Sequence, residues 1–468
     1  MTRPMPLLDL ASLLIERPGT PSNVGALMLL DPPPGLTAAA AAKQVARAYR
    51  AARPAPPFDA VPDLSVLALP RWRPTERVDP RRHVLRGTIE APGDLEELCR
   101  HVARLHEPPL DRTRPMFNVY VLDGLASGQL AVYVKTHHAY CDGRYALERI
   151  FGRLPREPGA VAPPFFAGSD SEAAAGPDAL RRAMTGGLRS LFAQASAARE
   201  LVSRLSATTR GGAGGPRGNR PFAGPHTRFN EPIAAERSFA GFSLRLDAMR
   251  RVALSCNATL NDVVLAVVDA GVERLLAALG ERPRQALVAM CPVSLRAPGD
   301  MEATTKAATL FVPLARPRSG AADRLRQVVA NARAAKAEFN TLSHEAALDY
   351  AALAFGLWFA SNTLGLGPIA RPVVNLTVSN VGAVEGPRYL GACRLVAAYP
   401  VSMLAGPVGL NVTVVSVEDR MDFGIVANAA VLADAFELAQ SCEAAFAQMA
   451  RAVTRKSGRR KRTAQRRT

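Results

Sequence analysis

Lysine is scarce in this chain: only six of its 58 basic residues are Lys, and 52 are Arg. Cysteine is sparse too. The six cysteines, at 99, 141, 256, 291, 393 and 442, never form a CxxC pair. This excludes a disulfide scaffold and reads as reduced thiols in a cytoplasmic protein. A signal-peptide core is missing, because Asp9 and Glu16 interrupt the short apolar run after Arg3. Long apolar runs are missing as well. Residues 350–370 carry no charge but include Ser361, Asn362, Gly365, Gly367 and Pro368. Residues 395–417 are interrupted by Pro400, Gly406, Pro407, Gly409 and Asn411. Neither window is the continuous hydrocarbon-matched stretch of a spanning helix.

The 468 residues are 48% hydrophobic and 21% charged, with a mean hydropathy of +0.02. Such a chain buries a large core, so wholesale disorder and collagen-like classes are excluded. Its length corresponds to roughly two to four domains. The net charge of +17 points to anionic partners: a membrane surface, phosphate-bearing substrates or nucleic acid. Eight of those charges lie in residues 455–468, which hold no acid; without them the balance is +9. Abundant Ala and Pro beside the arginine excess point to compositional bias for much of the remainder. No nucleic-acid-binding motif accompanies the basic segment.

Periodicity and turn residues predict helices over 36–51, 94–105, 143–151, 178–209, 260–279, 321–339 and 434–452. Strands are expected over 118–122, 129–136, 237–246, 286–293, 373–379, 410–417 and 422–427. Residues 155–176 read as a Pro/Gly/Ala linker, and Gly211–Gly215 as a second flexible break. The division expected is 1–154, a helix-containing linker over 155–225, 226–454, and a disordered basic tail over 455–468. The irregular alternation of strands and helices indicates an α/β or α+β class.

The most informative stretch runs Lys135-Thr136-His137-His138-Ala139-Tyr140-Cys141-Asp142-Gly143 at the end of a strand. Histidine titrates near working pH and suits a general base. An aspartate close by can orient a ring or anchor the loop through an arginine, and Gly143 allows close backbone approach. A His pair at a strand end also occurs as plain surface or satisfied core. A metal site lacks a third ligand at recognisable spacing.

The pattern His-His-x-x-x-Asp-Gly resembles the signature of the CoA-dependent acyltransferase superfamily. Its neighbours single out the bacterial wax ester synthase/diacylglycerol acyltransferases. Pro109-Leu110-Asp111-Arg112-Thr113-Arg114-Pro115-Met116-Phe117 is similar to that family's PLDRxRPLW block. Pro6-Leu7-Leu8-Asp9, Val24-Gly25-Ala26, residues 227–232 with Arg237, residues 259–266 (TLNDVVLA), residues 292–296 (PVSLR), Ser379-Asn380-Val381 and Gly409-Leu410-Asn411 follow in the family's order. The chain departs from it where the family's DxxFL, PMHVG and SNVPGP lose a Phe, a His and two prolines.

The resemblance implies an α/β (α+β) fold of two pseudo-symmetric chloramphenicol-acetyltransferase-like domains, with the active-site channel between them. It implies fatty acyl transfer from acyl-CoA, as co-substrate, to diacylglycerol or a long-chain alcohol. No further cofactor and no metal are expected. His138 would be the general base, with no covalent intermediate, and His137 would support its ring and loop. A Cys–His route through Cys141 is the covalent alternative. Asp142 would hold the loop, paired with Arg296 or Arg114. Asn261 and Asp262 would either line the acceptor channel or cap a helix. Ser379 and Asn380 would either close the channel or form a turn. The tail would attract the enzyme to an anionic membrane or lipid-body surface. Two other readings keep the fold: a non-catalytic lipid-binding homologue, and a peptide-synthetase-like condensation domain without its carrier.

Overall fold

A computed structural model describes residues 2–17, 19–65, 69–76, 78–140, 143–160, 162–168, 224–294, 307–340, 372–404, 406 and 408–465. The strands in chain order are β1 (Arg3–Pro4), β2 (Asn23–Asp31), β3 (Ala60–Asp63), β4 (Arg71–Pro74), β5 (Val84–Thr88), β6 (Phe117–Asp123), β7 (Leu130–His137), β8 (Arg237–Arg245), β9 (Val288–Ser294), β10 (Ala307–Pro313), β11 (Leu376–Val384), β12 (Tyr389–Leu390), β13 (Cys393–Val401), β14 (Leu410–Val417) and β15 (Arg420–Asn428). They form two six-stranded sheets, ordered β12-β13-β2-β7-β6-β5 and β10-β9-β11-β14-β15-β8. A small β1-β4-β3 sheet flanks the first.

β7 is buried along its whole length because both faces of the first sheet are covered. Ala41, Ala42, Val45, Ala46 and Tyr49 bury one stripe of the Ala38–Ala51 helix, whose apolar residues share a core with Val132 and Val134 of β7. The Leu95–His106 helix is capped by Asp94, which accepts from Glu97 N at 2.8 Å. Its Leu98, Cys99 and Val102 join Leu27, Tyr133, Phe239, Tyr399 and Val426 in a core that draws on both sheets. In the second unit the Leu260–Ala278 helix is buried nearly all round, sharing one core with the Ala321–Asn340 and Phe436–Gln465 helices.

The domain division expected at residue 226 needs correction. β12 and β13 come from the C-terminal half yet complete the first sheet, with β13 antiparallel to β2. Its crossing requires two facing glycines. Gly241 of β8 and Gly424 of β15 are cross-strand partners. A Cβ at 241 would lie 2.6 Å from the Tyr399 ring, and one at 424 would lie 1.8 Å from Pro400 O. Gly424→Ala therefore overpacks this junction. The expected loss is about 1–3 kcal/mol in urea unfolding; a variant as stable as the parent would refute this close crossing.

Two other expectations are corrected. Phe165 and Phe166 are buried in the first core, and Pro54 bridges Ala167, so residues 162–168 belong to the domain rather than a linker. The basic segment is helical as far as Gln465, because the last helix runs on from Phe436 instead of ending near 452. The helix expected over 178–209 and the Gly211–Gly215 break lie outside the described residues. Among the described residues no single helix is long and apolar enough to cross a membrane, and window 395–417 falls on β13 and β14.

Candidate active site

The paired histidines lie where β7 ends beside β2. His137 is the ladder partner of Asn23, and its N–H donates to Met116 O at 3.0 Å. The N–H of His138 donates to Ser22 O at 2.8 Å. The chain then tightens into a 3-10 turn over His138–Tyr140. Tyr140 anchors that turn: its hydroxyl donates to Ala60 O and accepts from Met116 N. Its ring packs edge-on to Phe58 and against Trp72.

The two imidazoles have different surroundings. His137 is fully buried, whereas His138 is only partly covered. Nδ1 of His137 accepts the Ala139 N–H at 3.1 Å. That places the proton of the neutral ring on Nε2, 3.6 Å from Glu16 Oε2. Glu16 also accepts from Arg112 Nε at 3.1 Å and Nη2 at 2.7 Å, and from Ser22 N at 3.0 Å. Burial alone would raise the Glu16 pKa, but the nearby His137 imidazole and the hydrogen bonds from Arg112 prevail and bring it down to about 2. Glu16 is thus an anion in the wall behind the His pair. Sequence reasoning missed this role: Glu16 registered only as a break in an apolar run, and Arg112 only as part of a block.

Behind that wall, polar side chains fasten the end of the Leu95–His106 helix to the sheet. Asn23 Nδ2 donates to His106 O and Pro108 O, at 2.8 and 2.9 Å. Lys135 Nζ donates to Leu105 O and Pro108 O, at 2.8 and 2.6 Å. These bonds satisfy carbonyls at and beyond the helix end. Burial brings the Lys135 pKa down from 10.5 to about 7. Between these values the folded protein holds fewer protons at this site than the unfolded chain. Stability therefore rises as pH increases from about 7 towards 10.5. Replacing Lys135 by Met should flatten that rise, as read from urea midpoints across the window; an unchanged slope would assign it to other groups.

After the turn comes a short helix, Gly143–Leu147, followed by one wide turn over Glu148–Gly152. Gly143 does not have a positive φ. Its requirement is proximity, since a Cβ there would lie 2.9 Å from Val381 Cγ1. Val381 belongs to β11, so the second sheet reaches the loop that follows the histidines. Ser379 and Asn380 are strand residues paired with Thr413 and Val414 of β14, as the strand expected over 373–379 had it for Ser379, so the turn alternative for the pair falls away. The register shifts between Asn380 and Ala383, and Asn380 Oδ1 accepts the Gly382 N–H. Asn380 is exposed on this bulge and Ser379 is half-buried.

The remaining candidates fall elsewhere. Arg114 pairs with Asp111 at 2.8 Å. Asp142, Cys141 and Arg296 lie outside the described residues. Thr259, not Asn261 or Asp262, is the N-cap of the Leu260–Ala278 helix. Asp262 closes a capping box with Thr259, while Asn261 is exposed. In the segment 227–232, Asn230 donates to Val374 O and accepts from Asn375, tying the start of the second unit to the residues just before β11.

A two-sheet molecule with a His pair at a strand end, and a following loop that meets a bulge from the other sheet, has the fold of the CoA-dependent acyltransferases and condensation domains. The starter condensation domain of rhizomide synthetase, solved with C8-CoA and Leu-SNAC, superposes with a TM-score of 0.55 over 97% of this chain and 94% of that one, at 16% identity. The wax ester synthase/diacylglycerol acyltransferase of Marinobacter aquaeolei VT8 superposes with a TM-score of 0.78 over 97% of this chain and all of that one, at 24% identity. Residues 5–264 match the wax ester synthase/diacylglycerol acyltransferase catalytic domain, and residues 305–450 match the C-terminal domain of the same family. A Mycobacterium tuberculosis protein provisionally named as a diacylglycerol O-acyltransferase is 30% identical, over 89% of this chain and 91% of that one. The chain belongs to the wax ester synthase/diacylglycerol acyltransferase family and is an acyltransferase of that kind.

Proposed function

We propose that the protein transfers a fatty acyl group from acyl-CoA to diacylglycerol or a long-chain alcohol, with His138 as the general base. The observation that carries this reading is the contrast between the histidines. His137 is enclosed and directed at Glu16, while His138 is partly open at the start of the loop that meets the β11 bulge. An alcohol is a weak nucleophile at neutral pH. His138 takes its proton as the oxygen attacks the thioester carbon. The carbon–sulfur bond then breaks, and the proton on the imidazolium goes to the departing CoA thiolate. No serine or cysteine ester is needed, and no metal or further cofactor takes part. The acceptor would enter a channel between the two units.

The test offers purified enzyme palmitoyl-CoA with diacylglycerol and hexadecanol together and identifies the ester by mass spectrometry. Triacylglycerol, wax ester or both are expected; tight acyl-CoA binding without either ester would favour a non-catalytic homologue. The basic end of the last helix would hold the enzyme at the anionic surface where such acceptors reside, each Lys or Arg contributing about 1 kcal/mol. Deleting residues 455–468 should abolish salt-sensitive binding to phosphatidylglycerol vesicles; undiminished binding would remove this role.

A further inference from the structure

Away from the His pair, a cleft of about 250 Å³ opens beside the end of the Leu95–His106 helix. Arg82, Arg104 and Arg114 line it, with Lys135 inside the wall at 2% exposure. One carboxylate, Asp111, lines the same cleft and stays ionised. Hydrogen bonds from Thr113, ahead of that from Arg114, hold its pKa near 2. Among the described residues each arginine has an acid beside it, exposed at Asp111 and Asp79 and half-buried at Glu97. Arg114 meets Asp111 through Nε, Arg104 meets Glu97 through one Nη, and Arg82 lies 3.9 Å from Asp79. Within the lining itself three guanidiniums surround one carboxylate, Glu97 and Asp79 lying outside it, and the planar guanidinium donor sets match phosphate oxygens. His83 and Tyr120 add flat walls.

The cleft also has a direct structural connection to the site. Lys135 lies three residues before His138, about 10 Å along the strand. Pro108–Asp111 and Arg114–Pro115 border the cleft, and the next residue, Met116, accepts the His137 N–H. The volume is below the usual ~300–1,000 Å³ of a pocket that encloses a drug-sized ligand. It therefore suits one phosphorylated end of a long molecule better than the whole of it.

We propose that this cleft seats the phosphate groups of the CoA moiety, with Arg82, Arg104 and Arg114 as the binding side chains. The proposal rests on acyl-CoA being the donor. The nucleotide would be held on the flank of the first unit while the flexible pantetheine arm carries the thioester to His138. A phospholipid headgroup offers the same phosphate chemistry, so the test separates the two.

Calorimetric titration of the full chain with CoA, adenosine 3′,5′-bisphosphate, palmitoyl-pantetheine and phosphatidylglycerol vesicles provides the readout. The double variant Arg82→Glu, Arg104→Glu should weaken binding of both phosphorylated ligands by about tenfold or more per arginine. Palmitoyl-pantetheine, which has no phosphate, should bind as before. Should the double variant melt early, Arg104→Gln alone should weaken CoA about tenfold on the same principle. Unchanged CoA affinity would overturn the proposal, as would equal loss of palmitoyl-pantetheine in a variant of normal melting temperature. Loss confined to phosphatidylglycerol vesicles would overturn it too, assigning the cleft to a lipid headgroup. Binding is read without turnover, so a chain that holds CoA through these arginines but forms no ester would fail the transfer reading alone.

Discussion

The His138→Ala variant is expected to lose about 10²–10⁴-fold in kcat, the usual contribution of a positioned general base, with little change in melting temperature. The structure explains both halves of this result. His138 is only partly covered, and its backbone N–H donates to Ser22 O, a bond that alanine keeps. The side chain can go without opening the core. His137→Ala should behave differently. That ring is fully buried, accepts the Ala139 N–H and faces the Glu16 carboxylate, so its removal leaves a cavity and polar groups without partners. The pair of variants thus separates chemistry from support: activity lost at constant stability for His138, activity and stability lost together for His137. Assays with palmitoyl-CoA and either acceptor, alongside thermal melts, decide it. If His138→Ala keeps most of its turnover, the base is another group.

The reading of the His pair from sequence depended on local pattern, and local pattern was sound where the elements are local. β7, the Asp94-capped helix, β14 and the Leu260–Ala278 helix all lie within a few residues of their expected positions. Pairing over long range was not legible. β13 joins β2, more than 360 residues earlier in the chain, and nothing near Cys393–Val401 records that partner. For the bulge in β11 a turn stood as one of two alternatives, because Ser-Asn-Val-Gly has turn composition; pairing with β14 on either side of Val381–Gly382 prevails. Gly143 was read as a place of close approach where a side chain would clash, and the clash is there, but its source, a methyl group from the other sheet, was not legible. Glu16 was hidden for the same reason as β13. Its arginine lies 96 residues away, and an isolated acid in an apolar run carries no sign of a distant partner.

That acid should matter more than its sequence context suggests. Glu16→Ala removes the acceptor of two Arg112 hydrogen bonds and of the Ser22 N–H, and the anion facing His137. Breaking a buried charged pair costs about 3–5 kcal/mol. Arg112 is 36% exposed and can turn towards water, so the lower end of that range is expected. The loss depends on pH. The Glu16 pKa is depressed from 4.5 to about 2 in the folded protein, so its stabilisation is fully present above 4.5 and disappears as pH falls towards 2. Parent and variant should therefore differ most in urea midpoint near neutrality and converge in acid. Turnover should fall with stability through a short chain of bonds. Ser22 N–H is held by Glu16, and Ser22 O holds the backbone N–H of His138. Releasing Ser22 lets the base drift, and a displacement of about 1 Å in such a group can cost 10²-fold in rate. The expected signature is a lower kcat at nearly constant KM for acyl-CoA, measured at a temperature where the variant is fully folded. Equal urea midpoints at pH 7, or a change confined to KM, would show that Glu16 supports neither the fold nor the position of His138.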